Sequence, residues 1–356
     1  MNYIQYGTKA NATEIETFLN HVLKSSRTPV CIWGKHGIGK TELVQDFAKA
    51  NGFDFVYVAP AQFEEMGDLV GMPKIVDGKT VFAAPNWIPT TNEKGILLID
   101  DVNRADDRIL RGIMQLLQNY ELVSWKLPEN WQIILTANPD GGDYSVTPMD
   151  DAMLTRMLHI TMIFEVKTWA KWANENKIDN RCINFVLTHP NVVTGERTTP
   201  RTLVQFFRNI QTIKNWQSNL GLIQLLGDAT LDAKTVASFI AFVQNDMKLL
   251  LSPMEILESE DFEEEVENRL YDLVVGDALR IDILATICTR LIQTVDNKDF
   301  KITNSQLDNL KLFIKLDFLL DDLRLTFAQD LVRSENENLK SILKDAEIGR
   351  LVLSRV

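Results

Sequence analysis

Cysteine is scarce in this sequence: Cys31, Cys182 and Cys288 stand far apart, and none sits in a C-x-x-C pair. That spacing excludes a disulfide-stapled scaffold and a structural zinc site, and it suits core thiols in a reducing compartment. Histidine is nearly as rare, and His21, His36, His159 and His189 form no cluster with metal-ligand spacing. Positive charge is short as well, with 37 Lys and Arg against 49 Asp and Glu and a formal charge of -12. A chain of that sign does not adhere broadly to nucleic acid or anionic membrane, although a narrow basic groove or pore loop is compatible with the total. No stretch approaches the roughly 20 apolar residues that cross a bilayer. The polar opening Met1-Asn2-Tyr3-Ile4-Gln5 lacks the charged and apolar regions of a secretory signal, so a cytoplasmic protein is the expectation.

What is present is a globular composition, 45% hydrophobic and 24% charged, over 356 residues, enough for about two or three domains. Residues Gly34-Lys35-His36-Gly37-Ile38-Gly39-Lys40-Thr41 fit the phosphate-binding loop G-x-x-x-x-G-K-S/T at every fixed position. Each residue type has a reason. Glycines let the backbone curl with its N–H groups toward phosphate oxygens, Lys40 reaches the β and γ phosphates, and the Thr41 hydroxyl ligates Mg²⁺. The context agrees: Thr28–Trp33 is a short apolar run suited to a buried strand, and Leu43, Val44, Phe47 and Ala48 follow at helical spacing before Asn51-Gly52.

A second signal is Gly95–Ile99, an apolar run that ends in Asp100 and Asp101. This is the Walker B pattern, which assigns Asp100 to the metal and its waters and Asp101 to the attacking water. Gln132–Ala137 reads as another buried strand with Asn138 at its C-terminal end, where ligands of open α/β sheets lie. Around these the sequence predicts an amphipathic helix over 11–24 with Asn11 or Thr13 as N-cap, and a strand over 53–58. A helix beginning at Ala61–Glu65 should be broken by Gly67 to Pro73. Further on come a hairpin over 74–82 turning on Asp77-Gly78, a helix over 108–120, a turn or short hairpin over 125–131, a short helix over 148–155 and a strand over 157–164. Beyond 164 the alternation stops. The fold class is therefore α/β, with a P-loop domain on a parallel sheet over 1–164, an all-α domain over 165–246, which the resemblance described next implies is a lid, and an acidic helical region over 247–356. The acidic run from Glu255 to Glu267 reads as a solvated helix face.

Taken in order, Gly34–Thr41, Gly67–Gly71, Leu98–Ala105, Thr136–Pro139, Ala152–Arg156 and Thr199-Pro200-Arg201 resemble the AAA+ ATPases, most closely the MoxR-like group, over roughly residues 10 to 210. The resemblance implies that Asn138 is sensor 1, that Arg156 is an arginine finger reaching a neighbouring subunit's nucleotide, that Arg201 is sensor 2, and that the 74–82 hairpin is the helix-2 insert. Two departures matter. Asp101 stands where the family has glutamate, one methylene longer, and a misplacement of about 1 Å can cost on the order of 10²-fold in rate, so slow turnover is expected. Thr155 and Met157 replace the flanking residues of the family's D-R-F signature, which leaves Arg104, Arg108 and Arg111 as rivals to Arg156.

The function implied is a ring ATPase, a hexamer, that uses ATP and Mg²⁺ in chaperone-like remodelling or assembly of a partner protein, with a von Willebrand A-type adaptor among the expected partners. Two readings compete with it. One is a nucleic-acid motor or clamp-loader-like ATPase, against which the acidic balance speaks, while Lys167, Lys171, Lys177, Arg181, Arg197, Arg201, Arg208 and Lys214 give a local basic excess. The other is an ATP-bound scaffold that barely hydrolyses.

Overall fold

The computed structural model describes residues 6–139, 146–193, 196–247, 250–274, 280–297 and 300–334, and after that 336, 339, 342 and 345–353. The chain divides into two compact units, Met1–Thr168 with Thr194–Thr202 and Trp169–Val193 with Leu203–Val356.

The first unit is built on β1 (Thr8–Ala10), β2 (Val30–Trp33), β3 (Asp54–Val58), β6 (Gly95–Ile99), β9 (Trp131–Ala137) and β10 (Leu158–Met162), in the spatial order β1-β10-β2-β9-β6-β3. Every pairing in this sheet is parallel. Strands of such a sheet are covered on both faces and read as unbroken apolar runs. Val30, Ile32, Ile96, Leu98 and Ile134 share one core with the apolar faces of α1 (Ala12–Ser25) and α2 (Lys40–Ala50). Their alternates Cys31, Trp33, Leu97, Ile99, Ile133 and Leu135 share the opposite core with α4 (Asp107–Asn119). Pairing of Trp33 with Ala137 and of Ile99 with Leu135 sets the carboxyl ends of the three central strands at one edge. Helix α1 starts at a capping box, with the Glu14 N–H donating to Asn11 Oδ1 at 3.0 Å and the Asn11 N–H to Glu14 Oε2 at 2.8 Å.

Several local features differ from the sequence reading. Strand β1, which extends one sheet edge through β10, was not anticipated because three residues carry no alternation to read. The helix expected to begin at Ala61–Glu65 is only a 3-10 turn over Pro60–Gln62, and a separate helix, α3 (Met66–Val70), runs across Gly67 and ends at Gly71, within the expected break. The indoles of Trp87 and Trp125 donate to the carbonyls of Asp68 (3.2 Å) and Leu69 (2.9 Å), and these distant partners satisfy groups that a short helix leaves open. After α3 the hairpin β4 (Met72–Val76) and β5 (Lys79–Ala83) turns on Asp77 and Gly78, both at positive φ. A second ribbon pairs β7 (Glu121–Leu122) with β8 (Trp125–Lys126), slightly earlier than expected. Helix α5 is brief, Asp151–Leu154, capped by the Asp150 carboxylate.

Among the described residues the second unit is helical. Phe185, Phe206, Phe207, Phe239, Phe242 and Trp216 form a nest of edge and tilted ring contacts there. Further along, Ile283, Leu284, Ile287, Leu291, Leu310, Phe313 and Phe327 make a separate core. The acidic segment winds one π turn over Glu263–Glu267, with Val266 buried and the glutamates before it exposed, as a solvated face requires. Among the described residues no helix is long and apolar enough to cross a membrane.

Candidate active site

The Gly34–Thr41 loop leaves β2 and enters α2 without a side-chain cap, and Gly39 occupies the N-cap position at φ 105°. Few residues other than glycine adopt that conformation. Gly37 lies at φ 67°, and a Cβ there would fall 2.6 Å from Thr199 Oγ1. The loop is therefore in close contact with the Thr199-Pro200-Arg201 segment, and the Arg201 N–H donates to the Gly37 carbonyl at 3.0 Å. His36 is half-buried, and its pKa is lowered, first by desolvation and then by the charges of Lys40, Arg201 and Arg104, against the raising effect of a hydrogen bond to the Glu196 backbone.

Lys40 is only 5% exposed. Its ammonium donates to the carbonyls of Gly34 (2.8 Å) and Lys35 (3.2 Å) and to Asn138 Oδ1 (3.1 Å), all of them neutral acceptors. Burial pulls its pKa down to about 8, while the nearby Asp101 and Asp100 oppose the shift. A buried cation with no carboxylate bonded to it is costly unless an anion is meant to arrive.

Asp100, one residue past β6, is held by three hydroxyls. Oδ1 accepts from Thr41 and from Thr136, each at 2.7 Å, and Oδ2 accepts from the Tyr57 phenol at 3.2 Å. Desolvation and the charge of Asp100 raise the Tyr57 pKa. Thr136 also accepts from the Asp101 N–H at 2.8 Å, so one buried hydroxyl fixes both acids. Asp101 sits in the left-handed region at φ 47°, a conformation that aspartate tolerates better than most residues. Its Oδ1 accepts from Asn138 Nδ2 at 3.0 Å and its Oδ2 lies 3.5 Å from Arg104 Nε. Asn138 thus bridges Lys40 and Asp101. Behind it, buried Asn103 donates to the Asn138 carbonyl at 2.8 Å and accepts from its N–H at 3.1 Å.

The structure brings together Lys40, Thr41, Asp100, Asp101 and Asn138, with the Arg201 charge acting on Lys40, His36 and Tyr57. Arg156 is not in this group: its guanidinium bonds to Gln118 Oε1 at 3.1 Å and to the Ala152 carbonyl. Arg108 and Arg111 pair with Asp106 and Asp107 on the surface of α4. Three residues that the sequence reading gave no role, Tyr57, Thr136 and Asn103, hold the acids and the asparagine in place. The available signals were faint: a threonine inside the apolar β9 run, and an asparagine two positions past the paired acids.

Thr41 and Asp100 offer hard oxygens 2.7 Å apart, the donor chemistry that Mg²⁺ prefers. Backbone amides, a buried ammonium and this oxygen pair together match a polyphosphate with a divalent cation.

Strand β2, the glycine loop, helix α2 and the acids at the end of β6, with β9 and its Asn138 between the two strands, define a P-loop nucleotide-binding domain. A family model for the AAA domain of the dynein-related subfamily matches residues 29–157. A curated relative is midasin of Giardia intestinalis, 22% identical over 139 residues, a match that takes in 37% of this chain and 3% of that protein's length. Solved structures with a similar course include a RuvB mutant of Thermotoga maritima (12% identity, TM-score 0.40, 69% of this chain and 75% of that one). Another is the closed state of Hsp104 with ATPγS and casein (16% identity, TM-score 0.41, 60% and 45%).

Proposed function

We propose that this chain is an ATPase of the MoxR-like type that assembles into a six-membered ring and uses hydrolysis to remodel or assemble a partner protein, with a von Willebrand A-type domain as adaptor. The observation that carries the reading is the Asn138 bridge between buried Lys40 and Asp101, beside the Thr41 and Asp100 oxygens. Gly34 to Gly39 and Lys40 bind the β and γ phosphates. Thr41 and Asp100 would hold Mg²⁺, which supplies charge neutralisation on the phosphate oxygens. Asp101 and Asn138 orient the attacking water, and Lys40 and Arg201 stabilise charge that spreads as the terminal phosphoryl group leaves.

Arg156 belongs to the neighbouring subunit's site in this scheme. Its bonding away from Lys40 and Asp100 supports action in trans. Asp101 is a methylene shorter than the usual glutamate, which supports slow turnover.

The test is steady-state hydrolysis and particle mass, measured on the purified chain and its Lys40→Ala variant, with and without a slowly hydrolysed ATP analogue. Loss of hydrolysis in the variant and a ring mass with the analogue are expected. Unchanged turnover in Lys40→Ala removes the site, and a monomer under all conditions removes the ring.

A further inference from the structure

His159 lies on β10 opposite Cys31 of β2, on the same sheet face as Trp33. Its two ring nitrogens are both engaged. The Trp33 indole N–H donates to Nδ1 at 3.0 Å, and Nε2 lies 2.8 Å from the Leu154 carbonyl. An indole N–H can only donate and a carbonyl can only accept, so the ring is the Nε2–H tautomer with Nδ1 as acceptor. The contact is also backed from outside the sheet. Tyr6 stacks on Trp33 with centroids 4.0 Å apart, and the Tyr6 carbonyl accepts from Thr161, two residues past His159, at 2.7 Å.

The two ends of this relay are informative. Trp33 is 2% exposed and is the residue before Gly34, the first residue of the phosphate loop. Leu154 is the last residue of α5, two before Arg156, and α5 also supplies the Ala152 carbonyl that the Arg156 guanidinium meets. His159 therefore ties the root of the phosphate loop to the base of the segment that carries Arg156.

We propose that His159 is a positioning residue that couples the phosphate loop to Arg156, so that the reach of this arginine toward a neighbouring subunit depends on Trp33 and the loop it precedes. The proposal rests on the reading of Arg156 as acting in trans. Packing alone would have been met by an aliphatic residue. The structure instead places on β10 a side chain that accepts on one side and donates on the other.

The experiment uses full-length His159→Ala, His159→Gln and Arg156→Ala, each also mixed with Asp101→Asn subunits, with co-assembly confirmed by mass. An Asp101→Asn subunit has a disabled water site and an intact arginine. Fluorescent ATP should bind His159→Ala with an affinity within about twofold of wild type, while kcat falls about tenfold and KM is unchanged. Glutamine, which supplies one donor and one acceptor, should recover kcat to within about threefold. Mixing with Asp101→Asn should raise the activity of His159→Ala as it raises that of Arg156→Ala, because the missing arginine is delivered by the other subunit. If Arg156→Ala is rescued and His159→Ala is not, the coupling is wrong and the arginine assignment stands. If neither is rescued, the trans arginine is wrong and the coupling falls with it. Equal loss in His159→Gln and His159→Ala, with both melting well below wild type, would also overturn the proposal in favour of a purely structural histidine.

Discussion

Asn103 and Asn138 hold each other by two hydrogen bonds, side chain to backbone in both directions, at 2.8 and 3.1 Å, and both residues are fully buried. The pair fixes the backbone of Asn138 so that its own amide is free to face Lys40 on one side and Asp101 on the other. Asn103→Ala would leave a buried N–H and a buried carbonyl without partners, at about 1–3 kcal/mol each. We expect a loss of about 2–4 kcal/mol in urea denaturation and at least a tenfold fall in kcat, with nucleotide affinity less affected. A variant that is as stable and as active as wild type would show that Asn138 needs no support.

Parts of this site were legible in the sequence because they rest on local rules. The Gly34–Thr41 spacing, the Ile96–Ile99 run before two acids and the position of Asn138 after an apolar strand each follow from short-range pattern, and the parallel sheet then brings their ends to one edge. What was not legible depends on residues distant in the chain. Thr136 faces Asp100 across 36 positions and Tyr57 faces it across 43, and neither distance leaves a mark on hydrophobic periodicity. The helix across Gly67 has the same origin, since the Trp87 and Trp125 indoles complete it from outside. The division of the helical residues was also not readable. A sequence has no punctuation for compact units, and Thr194–Thr202 falls in the unit with the sheet.

Lys40 gives a pH prediction with a definite sign. Its pKa is lowered from 10.5 to about 8 in the folded protein, so below pH 8 the buried ammonium is a cost to folding. Between pH 8 and 10.5 the folded form sheds this proton while the unfolded form keeps it, and the cost fades. Wild type should therefore gain stability relative to Lys40→Met between pH 7 and pH 10, by about 2 kcal/mol in matched urea titrations, whatever offset the three acceptors that methionine leaves without a donor add at all pH values. ATP favours the charged lysine. Binding to wild type should take up a proton at pH 8.5, seen by calorimetry in buffers of differing ionisation heat, and affinity should fall as pH rises through 8. A constant stability gap, or no proton uptake, would contradict this.

Asp101 should be improvable. Its carboxylate is already tethered to Asn138 and faces Arg104, and the side chain is 32% exposed, so there is room for a methylene, at the cost of holding glutamate at φ 47°, where aspartate is the better tolerated residue. Asp101→Glu should raise kcat by about tenfold if the short side chain limits water orientation, and Asp101→Asn should leave binding intact while hydrolysis stops after at most a single turnover. A slower glutamate variant would mean that the site has been shaped around aspartate.

The hydroxyls around Asp100 can be removed one at a time, and their effects should separate by burial. Tyr57 is 48% exposed, so Tyr57→Phe should change stability by no more than about 0.5 kcal/mol. Thr136 is fully buried, donates to Asp100 and accepts from the Asp101 N–H. Thr136→Val keeps the shape but orphans that N–H and takes away one of the two donors to Asp100 Oδ1, at a cost of about 1–3 kcal/mol. Asp100 would then be free to turn away from Thr41. The Mg²⁺ concentration giving half-maximal hydrolysis should rise about tenfold in Thr136→Val, which corresponds to about 1.4 kcal/mol, and less than threefold in Tyr57→Phe. A Mg²⁺ titration of hydrolysis on the two variants decides the matter. If both follow the wild-type curve, the orientation of Asp100 is set by Thr41 alone and the three-hydroxyl clamp has no part in holding the metal.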